Sequence, residues 1–191
     1  MSSAEYVSVF VSIVLGLGLV DILVSLQKLL RAGKRVKWDW AAPLTAAITV
    51  MLLIMVWWSQ YPGEATVQHK VTIGDFLPVF VALVLMFLLA SASLPDEVPP
   101  EGIDLKEYYD RNGPFYWGLF TAALGWTLLT EVWVKLAAGQ DPVRVFEARL
   151  YDILVLALFA SLIFIRKRWW HAIALAVVSL GPIGWLHRTL G

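Results

Sequence analysis

The sequence predicts an all-α fold, a polytopic integral membrane protein of about six transmembrane helices forming one domain over residues 1–191. Three observations predict it. The chain is 59% apolar and 16% charged, with a mean hydropathy of +0.71, which is too apolar for a soluble domain. Its apolar residues fall in runs near the roughly 20 residues that a helix needs to cross a hydrocarbon core about 30 Å thick. Tryptophans gather at the ends of those runs: Trp38, Trp40, Trp57, Trp58, Trp117, Trp169, Trp170 and Trp185, as aromatic belts do.

The first run, 6–28, holds Asp21 as the only charge in its apolar part. No basic segment precedes it and no small-residue cleavage site follows a short apolar stretch, so it reads as a mature helix and not a signal peptide. The second run, 40–59, is uncharged in its core and carries Pro43 in its first turn, where the missing N–H costs nothing. The third, 75–94, starts with Asp75 as a candidate N-cap and Pro78 nearby. An acidic loop, 95–113, follows with six acids and two bases. In it Asp104-Leu105-Lys106-Glu107 places an acid three residues after an N-cap, which predicts a short helix through Tyr109, with Tyr108 and Tyr109 in the headgroup layer. The fourth run, 115–136, turns polar at Glu131 and Lys135. The fifth, 147–165, opens with Glu147, Arg149 and Asp152. The sixth, 169–186, is interrupted at Gly181-Pro182.

Bases set the orientation. Lys28, Arg31, Lys34, Arg35, Lys37, Lys106, Arg111, Arg166, Lys167 and Arg168 fall on one side, and Lys70, Lys135, Arg144, Arg149 and Arg188 on the other. The side with ten is expected to be cytoplasmic, in an inner membrane of bacterial type, with both termini outside. Lys28, Arg31, Lys34 and Lys37 recur every third residue like a voltage-sensing helix, but Gly33 and the topology place them, with Arg35, at the interface, touching anionic lipid.

On a helix of 100° per residue, Glu5, Ser8, Ser12 and Gly16 form one stripe, and Gly18, Asp21, Ser25 and Lys28 another on nearly the opposite side. Small and polar residues on two faces predict that the first helix sits inside the bundle or at a subunit interface. Asp21 lies roughly 22 Å from Tyr6 along the axis, where an ionised carboxylate is costly unless paired, hydrated or protonated. Either a hydrogen bond or pair with Lys28, or a cation or proton site including Ser25, would compensate it. In the fourth run Gly118, Ala122 and Gly125 make a packing face, while Glu131 and Lys135 are spaced i, i+4 for an ion pair, which Arg149 and Asp152 could join. That group reads either as structural or as an outer-mouth site. The Lys28–Gly33 and Lys135–Gly139 segments resemble each other weakly, which raises a second organisation as two inverted three-helix halves.

Much chemistry is missing. Without cysteine there is no disulfide or thiolate chemistry, and zero net charge gives no nucleic-acid signature. His69, His171 and His187 are too dispersed to predict a metal or haem site, and no hydrolase, metalloprotease or phosphate-loop motif occurs, so neither cofactor nor enzyme activity is expected. The leading expectation is a small transport protein, a channel or carrier for an ion or small solute, working as a homo-oligomer in contact with lipid. The alternative is a non-catalytic membrane interaction protein: a sensor, assembly factor or lipid-binding subunit.

Overall fold

The structure, a computed structural model, describes residues 3–59 and 72–185. Among the described residues seven α-helices occur: α1 Ser3–Ala32, α2 Ala41–Ser59, α3 Ile73–Ser91, α4 Leu105–Ala137, α5 Pro142–Ala148, α6 Leu150–Phe164 and α7 Arg168–Trp185. Two short strands, β1 Val36–Lys37 and β2 Ile103–Asp104, pair in parallel. By length and apolarity α1, α2, α3 and α4 can each cross a membrane, and α6 is a shorter apolar helix. The fold is that of an all-α membrane protein.

Local chemistry sets the ends of these helices, and in four places the outcome departs from expectation. Thr72, not Asp75, is the N-cap of α3: its hydroxyl accepts from the Asp75 N–H at 3.2 Å while Asp75 Oδ2 accepts from the Thr72 N–H at 3.0 Å. The reciprocal pair satisfies two donors that a cap at Asp75 would leave open. Asp104 caps α4 as its spacing predicts, accepting from Lys106 N and Glu107 N. The helix it starts does not end at Tyr109, however; it runs through Pro114 as one rod of 33 residues. A proline removes one helical hydrogen bond and kinks more readily than it terminates when both flanks are packed, and here Gly113, Tyr116 and Trp117 are buried. The fifth run is two helices: Asp141 caps α5, with Pro142 in its first turn, and the chain breaks at Arg149 before α6. Gly181-Pro182 lies within α7 and does not interrupt it.

The centre of the bundle is α2. It packs against α1, α3, α4 and α7, and buries Ala41, Ala42, Thr45, Ala46, Ile48, Thr49 and Leu53. Alanine and threonine let neighbouring backbones approach closely. One apolar cluster joins α1, α2 and α3; a second, built on Trp117, Phe120 and Phe159, joins α4, α6 and α7. Helix α1, expected inside, packs through one seam of Val11, Leu15, Gly18, Ile22, Ser25 and Leu29. Its opposite side, including Tyr6, Ile13, Leu17 and Val20, is exposed among the described residues. In the polar Ser8–Ser12 stripe the Ser12 hydroxyl donates to the Ser8 carbonyl and accepts from Trp57 Nε1 of α2. The two proposed halves differ in packing, since α1 contacts mainly α3 whereas α4 contacts mainly α6.

Candidate functional site

Asp21 sits beside the buried seam of α1 and is half-buried. Among the described residues its carboxylate has neither a hydrogen bond nor an ion pair. Lys28 is not its partner: that ammonium donates to the Asp96 carbonyl at 2.8 Å, tying α1 to the loop after α3. Ser25, one turn below Asp21, is buried on the seam itself. A lone carboxylate with a hydroxyl one turn away can take a proton or supply oxygen to a cation.

The small residues near it divide by geometry. A Cβ on Gly18 would stand 3.3 Å from Ala90 Cβ on α3, a close approach, whereas one on Gly16 would meet nothing within 4 Å. On α4 a Cβ on Gly125 would only reach ordinary contact with Leu156, one on Gly118 would meet nothing, and Ala122 is exposed. Gly16, Gly118 and Ala122 are thus not points of close helix contact among the described residues.

Glu131 is elsewhere. It pairs with Arg149, whose Nη1 also donates to Asp152 Oδ2 at 3.1 Å. The guanidinium fork at the α5–α6 junction reaches both acids, and the expected partner Lys135 has no ion pair among the described residues. Along the bundle axis Glu131 and Asp21 lie about 20 Å apart, counting rise per residue from the β1–β2 end. They do not form one site.

The best-organised polar structure is at the β1–β2 end, where three loops meet. Val36 pairs with Ile103 and Lys37 with Asp104. Gly102, with φ +95°, presses directly on the Arg35 carbonyl, where a side chain would collide. Arg168 donates to Asp39 Oδ1 at 2.7 Å and faces Asp110 at 3.9 Å, joining the loop after α1 to α4 and α7. Lys37 and Asp104 stand 4.0 Å apart, while Arg31, Lys34 and Arg35 are exposed.

Next to Arg168 a buried chain runs through three rings. Trp117 Nε1 donates to Tyr109 Oη at 3.0 Å, Tyr109 Oη lies 2.8 Å from His171 Nδ1, and His171 Nε2 lies 2.8 Å from the Ile165 carbonyl. The carbonyl only accepts, so Nε2 carries the proton; Nδ1 then accepts from the tyrosine, and each polar atom is satisfied with a neutral imidazole. Two expectations are corrected here. Tyr109 is buried against its neighbours and does not point outward as a headgroup-layer tyrosine does, and Trp117 is a core residue stacked on Phe159 and not part of a lipid-facing aromatic belt. A second buried knot joins α2 to α4, where Tyr116 Oη lies 2.9 Å from Thr49 Oγ1 and 3.2 Å from the Thr45 carbonyl. The Thr45/Thr49 pair at i, i+4 in an otherwise uncharged run was its visible signal. His69, Lys70, His187 and Arg188 lie outside the described residues. Among the described residues no three histidine or carboxylate side chains gather to hold a metal.

Fold and polar structure together define an α-helical integral membrane protein. No family model matches the chain, and no curated protein or solved structure does so either.

Proposed function

We propose that the chain is a small membrane transport protein that moves a proton or small cation, with Asp21 as the exchanging carboxylate and Ser25 beside it. One observation carries this reading. Asp21 lies within a helix able to cross the membrane, is half-buried, and has no partner among the described residues. A carboxylate left unpaired at that depth costs several kcal/mol, roughly, when ionised, and binding a proton or cation removes that cost. Glu131 is not assigned to the path, because Arg149 neutralises it.

In this reading six helices cross an inner membrane, α6 and α7 included, with both termini outside. The exposed bases Arg31, Lys34 and Arg35 meet anionic headgroups on the cytoplasmic face. The uncovered side of α1 serves a second copy in a homo-oligomer. The test is proton or monovalent-cation flux into proteoliposomes loaded with a fluorescent indicator. Flux by the native chain that falls at least tenfold in Asp21→Asn is the expected result; an inactive native chain or an unaffected variant sinks the assignment.

A second reading, a non-catalytic interaction protein, draws on the rigid three-loop platform at the β1–β2 end, which is built as a surface and not as a path. It predicts stable co-purification of one defined protein, lost when residues of the 95–104 loop are replaced, and no flux.

A further inference from the structure

A groove of about 460 Å³ opens between the end of α3, the acidic loop and the start of α4. Its volume falls in the range of about 300–1,000 Å³ usual for small-molecule sites. Its lining includes Leu88 of α3 and Phe115 of α4, both exposed apolar residues of helices able to cross a membrane. It also includes Asp96, Glu97 and Arg111, all exposed and, among the described residues, without ion-pair partners on their side chains. The groove therefore offers apolar surface and charge of both signs in one place, as an amphiphilic ligand requires.

Its floor is fixed. Asn112 Nδ2 donates to the Ala92 carbonyl at 2.7 Å and to Tyr108 Oη at 3.1 Å, and Tyr108 donates to the same carbonyl at 3.3 Å. These bonds use the Asn112 amide nitrogen and leave its oxygen as an acceptor in the groove wall. On the far side Lys28 holds the Asp96 backbone. The groove floor and the backbone that carries Asp96 are thus held on a scaffold tied to three helices.

We propose that this groove binds an aminophospholipid, a lipid whose headgroup carries a primary ammonium and a phosphodiester. Asp96 and Glu97, with the Asn112 oxygen, accept from the three N–H donors of the ammonium, Arg111 donates to the phosphate oxygens, and Leu88 and Phe115 meet the first carbons of the acyl chains. Both signs of charge are needed to explain the lining. An anionic lipid such as phosphatidylglycerol would bring the two carboxylates neutral hydroxyl donors but no positive charge, and a quaternary ammonium has no N–H to donate. The site is independent of any transport by Asp21.

The test uses the full chain, purified in detergent, with phosphatidylethanolamine, phosphatidylcholine and phosphatidylglycerol of identical acyl chains, and reads bound lipid by native mass spectrometry. Phosphatidylethanolamine is expected to be retained about tenfold over each of the others. The Asp96→Asn/Glu97→Gln double variant is expected to lose that preference over phosphatidylcholine, and Arg111→Gln to lower retention of all three. Equal retention of the three lipids by the native chain overturns the proposal without recourse to any variant. So does a preference that survives the double variant in protein whose circular dichroism is unchanged.

Discussion

At the scale of single residues, two glycines of α1 separated by one position have opposite sensitivities. Gly18 faces Ala90 closely and Gly16 faces open space. Gly18→Val should destabilise the chain by about 1–3 kcal/mol, since neither helix backbone can retreat without disturbing the seam, whereas Gly16→Ala should be neutral or stabilising by up to about 1 kcal/mol. Thermal unfolding in detergent distinguishes them, and equal melting points would contradict the seam. Gly102 fails for a different reason, because a side chain there meets both an unfavourable φ and the Arg35 carbonyl. Gly102→Ala should cost about 1–3 kcal/mol and open the β1–β2 pairing, visible as faster amide exchange at Ile103 and Asp104. The sequence pattern singled out Gly16 and Gly18 together, since composition cannot tell which of two small residues meets a neighbour. That Asp21 is a carboxylate inside an apolar run is legible from its position alone; that Lys28 bonds the Asp96 carbonyl depends on a loop 68 residues away.

At the scale of elements, the clamp made by Arg149 holds α4 to the α5–α6 junction. Arg149→Gln leaves Glu131 and Asp152 half-buried without their cation, and should lower stability by about 1–3 kcal/mol. The loss should shrink in 1 M salt, because all three groups are partly exposed and screened. Melting curves of the native chain and variant at low and high salt check this. The i, i+4 spacing of Glu131 and Lys135 pointed to a local pair, and a tertiary one won, because a guanidinium fork satisfies two carboxylates at once where an ammonium on the same helix satisfies one. Helix positions are legible in the apolar runs, but the first turns of α4 are hidden because Gly113-Pro114 looks like a terminator. Helix α5 was missed although Asp141-Pro142 is a start signal, because its seven residues are too few to show a periodic face.

For the whole molecule, the sidedness of the loops is directly testable, since the chain has no cysteine to remove. Single cysteines at Lys34, Glu97 and Lys167 should react with an impermeant maleimide from one side of sealed vesicles, and one at Val143 from the other. Val143 reacting from the same side as Lys167 would mean that α6 does not cross. The membrane class was plain from composition and run length, but the choice of central helix was not. Polarity marked α1 as inner, while α2 took that place through alanines and threonines that no charge pattern highlights. One consequence follows from helix length. At about 1.5 Å per residue α6 is roughly 22 Å long, and its neighbour α4 is roughly 50 Å. In the proposed six-span arrangement the two would flank one another across a single bilayer, and acyl chains against α6 would have to thin below the usual thickness of about 30 Å. A span that short would favour bilayers of short-chain lipid around its flank.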